Sequence, residues 1–325
     1  MTCTSLLWEM KNNNEDWLKE RKKYIGGSDI AAILGYSKFA TAVDVYLSKK
    51  SNSIEQKNDA AIMWGNYLED AVACAYSDKT GLKVEKHEGL IVHPDYPFIA
   101  GNIDRWAYDV ASGTRHILEC KTSGFMMRND WGKEELTDDI PLYYLTQVAW
   151  YSMLTDVEKV DIAVLIGGQN FRIYTYRKDK DLEAILLKKG VEFWQNNIEK
   201  DIPPAPVVVS DLDKLYPNSS EKSVYASNYI EKKVEQLNNL KAQKKSIETE
   251  MENCEFAIKE FMKDSDILVS EHDLKPLITW KKNKDSMILD TEKLKLEMPE
   301  AYNSFLKKKV GSRVFLVKQA KMPQS

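Results

Sequence analysis

Between residues 14 and 48 helical spacing is interrupted by Tyr24-Ile-Gly-Gly-Ser-Asp29, so the pattern predicts two short helical stretches around a turn. Gly26-Gly27 breaks the first, and Ser28 or Asp29 can cap the second, whose Ile30-Ala-Ala-Ile-Leu-Gly35 has matching apolar spacing. From Asp59 to Thr80 apolar residues recur at helical intervals, and Gly81 stands where a C-terminal cap belongs. Glu69 is thereby placed on this helix and Glu85 on or just beyond it.

Strand-like segments follow at residues 83–92, 98–110 and 115–122, separated by the turn chemistry of His93-Pro-Asp and Ala111-Ser-Gly-Thr. Leu142 to Leu154 reads as an amphipathic aromatic helix. Val160 to Ile166 and Phe171 to Arg177 read as a hairpin joined by Gly167-Gly168-Gln169-Asn170, and Leu182 to Glu199 as a closing helix. The order helix, three strands, helix, two strands, helix predicts an α/β fold with a mixed sheet flanked by helices, and Pro203-Pro204-Ala205-Pro206 reads as a linker. The expected division is therefore a domain at 1–205 and an appendage at 206–325.

In the appendage, Tyr229 to Met262 contains no Gly or Pro, and Leu240, Lys244, Ile247, Met251, Cys254, Ile258 and Phe261 are spaced alternately by four and three. This predicts one long helix with a coiled-coil-like seam, suited either to self-association or to packing on a neighbouring element. Short β-like segments are expected at Leu277–Lys281 and Val314–Lys318, around a small helix near Asp290–Phe305.

Composition narrows the class. With 325 residues, 43% apolar and 30% charged, the chain can fill a sizeable core under a soluble surface. Its apolar runs fall far short of the roughly 20 residues that span a bilayer, and the N-terminus carries no signal-peptide pattern, so no membrane is expected and the location implied is cytoplasmic. Cys3, Cys74, Cys120 and Cys254 form no CxxC pair and suggest neither a zinc site nor a disulfide framework. The net charge of −4 gives no global attraction to nucleic acid, so any contact with it must be local.

The chemistry concentrates on the strands. Glu119 and Lys121 are two apart, so on a strand both point to one face, while Cys120 points to the other and leaves its carbonyl available as a ligand. Asp104 precedes them on the expected neighbouring strand. Two carboxylates with a lysine would bind a hard divalent cation and supply positive charge where negative charge develops during phosphodiester cleavage. The acid-x-Lys pattern alone is weak, since it occurs at Glu9, Glu20, Glu55, Glu119, Glu231 and Asp273. Only Glu119 ends an apolar strand directly after a strand-borne Asp. The same three residues would also make a structural salt-bridge cluster at a sheet edge, and the residues by themselves leave both readings open.

Five segments resemble a known family when taken together in order: residues 21–35, Trp64-Gly-Asn-Tyr-Leu-Glu69, Gly101-Asn-Ile-Asp104, Leu118-Glu-Cys-Lys121 and Gln147-Val-Ala-Trp-Tyr151. They look like the YqaJ-like viral recombinases, relatives of the phage lambda exonuclease, over about residues 15–200. The resemblance implies a PD-(D/E)XK, restriction-endonuclease-like core and Mg²⁺-dependent 5′-to-3′ digestion of double-stranded DNA ends, with Mn²⁺ as a substitute metal. It assigns Asp104, Glu119 and the Cys120 carbonyl to the metal, Lys121 to the water and phosphate, Gln147 to positioning, and Glu69 to a supporting acidic role. Arg21 and Ser28 would bind the 5′-terminal phosphate, and Arg105, where relatives commonly have a small residue, would add a phosphate contact or crowd the site.

The family's 3′ single strands pass to an annealing protein, and its members form homo-oligomeric rings. Partners implied here are thus DNA ends, further copies of the chain, and an annealing or single-strand-binding protein. Arg128, Trp131 and Lys133, in the loop 123–139, would contact DNA or remain solvated, and Tyr151 reads as packing. His87, His93, His116 and His272 lack metal-ligand spacing. The rivals are an endonuclease of the same fold and a non-catalytic DNA-end-binding or assembly module.

Overall fold

The computed structural model describes residues 18–51 and 60–317, and the chain divides into two compact units, Met1–Tyr216 and Pro217–Ser325. Cys3, the helix start at Asn14, Asp59, the triplets at Glu9 and Glu55, and Lys318 lie outside the described residues.

The first unit is the expected α/β core. A 3₁₀ turn, Arg21–Lys23, leads into α1 (Gly27–Ile33), then α2 (Ala42–Lys50) and α3 (Ala60–Thr80). Gly81 ends α3 with φ +73°, the left-handed conformation expected of a C-terminal cap. The strands are β1 (Lys83–Lys86), β2 (Ile91–Val92), β3 (Ala100–Gly101), β4 (Arg105–Asp109) and β5 (Thr114–Ser123). After α4 (Leu142–Thr155) come β6 (Lys159–Ile166), β7 (Asn170–Arg177) and α5 (Lys180–Phe193).

The main sheet has the order β1-β4-β5-β6-β7, and only β5 and β6 run parallel, as the α4 crossover requires. Gly167 and Gly168, at φ +61° and +76°, turn the β6–β7 hairpin. Two of the expected strands are broken. Residues 83–92 divide into β1 and β2, and 98–110 into β3 and β4; β2 and β3 pair with each other apart from the main sheet. Glu85 therefore lies on β1, and Asp104 sits in the break just before β4.

Period-two burial gives the sheet two apolar faces. Ile117 packs with Val160, Ile162 and Val164 against Val148, Ala149 and Trp150 of α4. Leu118 and Cys120 pack with Ala163 against Val72, Ala73 and Tyr76 of α3. Glu119 thus falls on the α4 side and Cys120 on the α3 side, as the alternation predicts.

Beyond Pro206, α6 (Val209–Leu215) still belongs to the first unit: the Asp211 carboxylate, fully shielded from solvent, accepts from Thr41 Oγ1 at 2.7 Å and Val207 N at 3.0 Å. The second unit contains α7 (Asn228–Met262), the hairpin β8 (Ile267–Val269) and β9 (Pro276–Thr279), and the short helices α8 (Thr291–Glu297) and α9 (Pro299–Ser304). The strand expected from Val314 is absent over 314–317, and β8, too short to show a period, pairs with β9 in its place.

Candidate active site

The site is built around Glu119, which the middle of β5 carries beneath α4. Its side chain is buried, with the residue 1% exposed. Oε1 accepts from Lys121 Nζ at 2.5 Å and from Gln147 Nε2 at 3.0 Å, while Oε2 is enclosed and has no hydrogen-bond partner. Burial, then the neighbouring Asp104, pushes the Glu119 carboxyl up to about 8 against the pull of Lys121. Burial works against the Lys121 charge, but Glu119 and Asp104 outweigh it and hold the ammonium above the ordinary lysine range. Its Nζ also lies 5.3 Å from the Tyr144 ring centroid.

Asp104 is fixed by the break between β3 and β4, where Oδ2 accepts from the Cys120 backbone N–H at 2.8 Å. The N–H of Cys120 is thus committed to Asp104, and burial raises its thiol. Glu69, on α3, is raised by burial and by Asp104, and Oε1 accepts from Arg105 Nη1 at 2.6 Å.

Arg105, expected to contact a phosphate or crowd the site, is turned toward the protein. It is 4% exposed and spends its fork on the protein, bonding Glu69 with Nη1 and Asp70 Oδ1 at 2.5 Å with Nη2. The guanidinium cross-links α3 to the start of β4, with Nη1 also donating to the Asp104 carbonyl at 2.7 Å.

Gln147 and Tyr151 lie one turn apart on α4, and Gln147 Nε2 also donates to Tyr151 Oη at 2.9 Å. Tyr151 packs in the core, 5% exposed, as expected. Its ring lines the helix face that orients the amide against Glu119, and burial raises its hydroxyl pKa. The glycine motifs abut that ring: a methyl on Gly27 would lie 2.8 Å, and one on Gly101 3.0 Å, from Tyr151 Cε1.

Arg21 and Ser28 are brought together, with Arg21 Nη2 donating to Ser28 Oγ and lying 3.5 Å from Asp29 Oδ1. The cap of α1 is Gly26, whose N–H donates to Asp29 Oδ2 at 2.9 Å. Lys49, unnoticed in the sequence, is buried beneath this turn, donating to Asp29 Oδ2 at 2.7 Å and to the Arg21 carbonyl at 2.8 Å. Burial opposes the Asp29 charge, yet Lys49 and Arg21 keep its carboxyl below the usual range, whereas burial pulls Lys49 down. The only local signal for this lock was an acid three residues after Gly26. Backbone bonds from Ile25 N to Phe98 O (2.7 Å) and Ala100 N to Ile25 O (3.0 Å) tie the turn to β3. Arg128 stands apart, exposed on the 3₁₀ turn Phe125–Asp130, with its guanidinium 4.3 Å from the Phe125 ring centroid.

Among the described residues, no three His, Cys, Asp or Glu side chains converge to hold a metal by themselves. What the site offers is an all-oxygen donor set containing one buried, unpartnered carboxylate oxygen. A hard divalent cation that retains waters or phosphate oxygens fits such a set.

Residues 16–158 match a family model described as a YqaJ-like viral recombinase domain. The YqaJ protein of Bacillus subtilis (strain 168) is 30% identical over 318 residues, 94% of this chain and 95% of its own. Among solved structures, the alkaline exonuclease LHK-Exo of Laribacter hongkongensis is similar at 17% identity and TM-score 0.44, over 58% of this chain and 94% of that one. A phage-related exonuclease of Haemophilus somnus 129PT is similar at 15% identity and TM-score 0.41, over 55% and 96%. No helix among the described residues is long and apolar enough to cross a membrane.

Proposed function

Because the chain belongs to the YqaJ-like viral recombinase family, we propose that it is a deoxyribonuclease that digests the 5′-ended strand of duplex DNA from its ends, using a divalent cation, Mg²⁺ in the first instance. The observation that carries this reading is the Glu119 carboxylate: one oxygen is held by Lys121 and Gln147, and the other is buried without a partner. An enclosed unpaired carboxylate oxygen is costly in a purely structural cluster and useful at a metal site.

Asp104, Glu119 and the Cys120 carbonyl would hold the cation, which when bound draws in the scissile phosphate and lowers the pKa of water. Lys121, kept charged by its carboxylate neighbours, stabilises the negative charge that builds on the phosphate oxygens. Gln147 holds Glu119 in the orientation that leaves Oε2 free. Glu69 supports Asp104 from α3, with Arg105 offsetting its charge. Arg21 and Ser28 bind the terminal 5′-phosphate, and Arg128 touches the DNA farther out. The 3′ single strands produced would pass to an annealing or single-strand-binding protein, and copies of the first unit would close around the duplex.

The test is digestion of linear duplex DNA, labelled at either 5′ or 3′ ends, by wild type and Lys121→Ala, in Mg²⁺ and in EDTA. The expected result is release of the 5′ label as mononucleotide, lost in EDTA and reduced at least about 100-fold in the variant. Cutting of a closed circular plasmid would replace this reading with an endonuclease, and binding without metal-dependent release would leave an end-binding module.

A further inference from the structure

The second unit has almost no core of its own. Among its described residues Met262 is the one buried apolar side chain, although α7 carries a long row of apolar positions. Over residues 230–261 ten positions follow a seven-residue repeat, and eight of them are apolar. One set of seam positions is Ile230, Leu237, Lys244, Met251 and Ile258, and the other is Lys233, Leu240, Ile247, Cys254 and Phe261. Such a repeat suits burial against another helix. Leu240, Ile247 and Met251 are 52%, 57% and 58% exposed, and Phe261 is exposed as well.

We propose that the helix on this seam is α7 of a second copy of this chain, running antiparallel. The two lysines and the flanking charges select both the occupant and the direction. In a parallel, in-register pair each seam residue meets itself, so Lys244 would face Lys244 and Lys233 would face Lys233. On the flanks Glu250 of one copy would meet Glu255 of the other, twice.

In an antiparallel pair, residues of one set face residues of the other. When Lys244 is set opposite Ile247, every other layer follows: Ile230 meets Phe261, Leu237 meets Cys254, Leu240 meets Met251, and Ile258 meets the stem of Lys233. No lysine then faces a lysine. On one flank Lys241 meets Glu248 of the partner subunit, twice by symmetry, and on the other Gln243 meets Glu250 of the partner subunit. The like-charged contacts vanish and ion pairs replace them. The seam is about 48 Å long at 1.5 Å per residue, and sliding one helix by a heptad would unpair the ends and remove the Lys241–Glu248 contacts.

The pairing is isologous and independent of any assembly made by the first unit. A ring formed by one unit and a two-fold contact formed by the other would join rings or copies in pairs.

The full chain carrying Cys3→Ser and Cys74→Ser, with and without Leu237→Cys, is treated with diamide, which takes the two electrons and two protons released when two thiols join. The antiparallel seam places Leu237→Cys against Cys254 of the partner subunit, so the expected product is an inter-chain 237–254 disulfide, mapped on peptides. The background without Leu237→Cys should give no Cys254–Cys254 disulfide. In parallel, the native mass of the full chain by light scattering should fall to half on Ile247→Asp with Met251→Asp, whatever assembly the first unit makes. Formation of Cys254–Cys254 dimers overturns the antiparallel arrangement. A mass that the double substitution does not lower overturns pairing through this helix, and leaves the seam to a different protein.

Discussion

Gly27→Ala tests the clamp that aligns Gln147 with Glu119. A methyl at this position would stand 2.8 Å from Tyr151 Cε1, 3.1 Å from Tyr151 Cζ and 3.1 Å from Gln147 Cγ. The ring cannot swing out, because it is buried and Gly101 abuts the same edge. Either α1 lifts from α4 or Tyr151 tilts, and in both cases the bonds from Gln147 Nε2 to Tyr151 Oη and Glu119 Oε1 lengthen. Overpacking of this kind costs about 1–3 kcal/mol. At about 2–4 °C per kcal/mol for a unit of this size, the expected loss in Tm is about 2–12 °C. Displacement of the amide should lower nuclease turnover by about 10- to 100-fold.

Gly26→Ala is the control. A methyl there meets nothing nearer than 3.6 Å, and the residue's φ of −106° suits any side chain, so the change should stay within about 1 kcal/mol. Urea unfolding and DNA digestion, measured on both variants, decide the matter. If Gly27→Ala is as mild as Gly26→Ala in both assays, the contact between α1 and α4 does not align the site.

Arg105→Ala should destabilise the first unit by about 1–3 kcal/mol, because it leaves Glu69 unpaired beside Asp104; a full Tm with weakened DNA binding would instead restore Arg105 to a phosphate contact. In the metal-free protein the Glu119 carboxyl is raised to about 8. A raised carboxyl contributes stability fully below its unfolded value of about 4.3 and loses it as pH rises through about 8. Glu119→Gln removes that loss, so in chelator the variant should melt above wild type at pH 9 and the two should converge at pH 5. A gap unchanged between those pH values would show that Glu119 does not titrate there.

Much of this architecture was legible because it depends on local periods. The hairpin β6–β7 needs two left-handed residues and has Gly167-Gly168, and β5 shows in His116-Ile-Leu-Glu-Cys-Lys that one face carries the acid and lysine. Other parts depend on partners distant in sequence. Nothing in Phe98–Val110 announces that the chain must break so that Asp104 can accept from the Cys120 N–H. Arg105 after Asp104 looks like a phosphate ligand until Glu69 and Asp70 arrive from a helix about 35 residues earlier. Lys49 is one lysine among many, and only burial against Asp29 sets it apart. At the other end, α6 follows a proline linker yet packs back on α2, because Asp211 accepts from Thr41 Oγ1 at 2.7 Å and Lys214 donates to Asp44 at 2.6 Å.

The parallel pairing of β5 with β6 also sets a time order during synthesis. Glu119 lies opposite Ile162, and the α4 residue that orients it lies between them in sequence. At about 5–20 residues per second, the ribosome needs roughly 2–9 s to pass from β5 to its neighbour. Until then the nascent chain carries the acid and the lysine without the amide that aligns them or the strand that walls them in. The surroundings of Glu119 are thus completed last, when β6 joins β5.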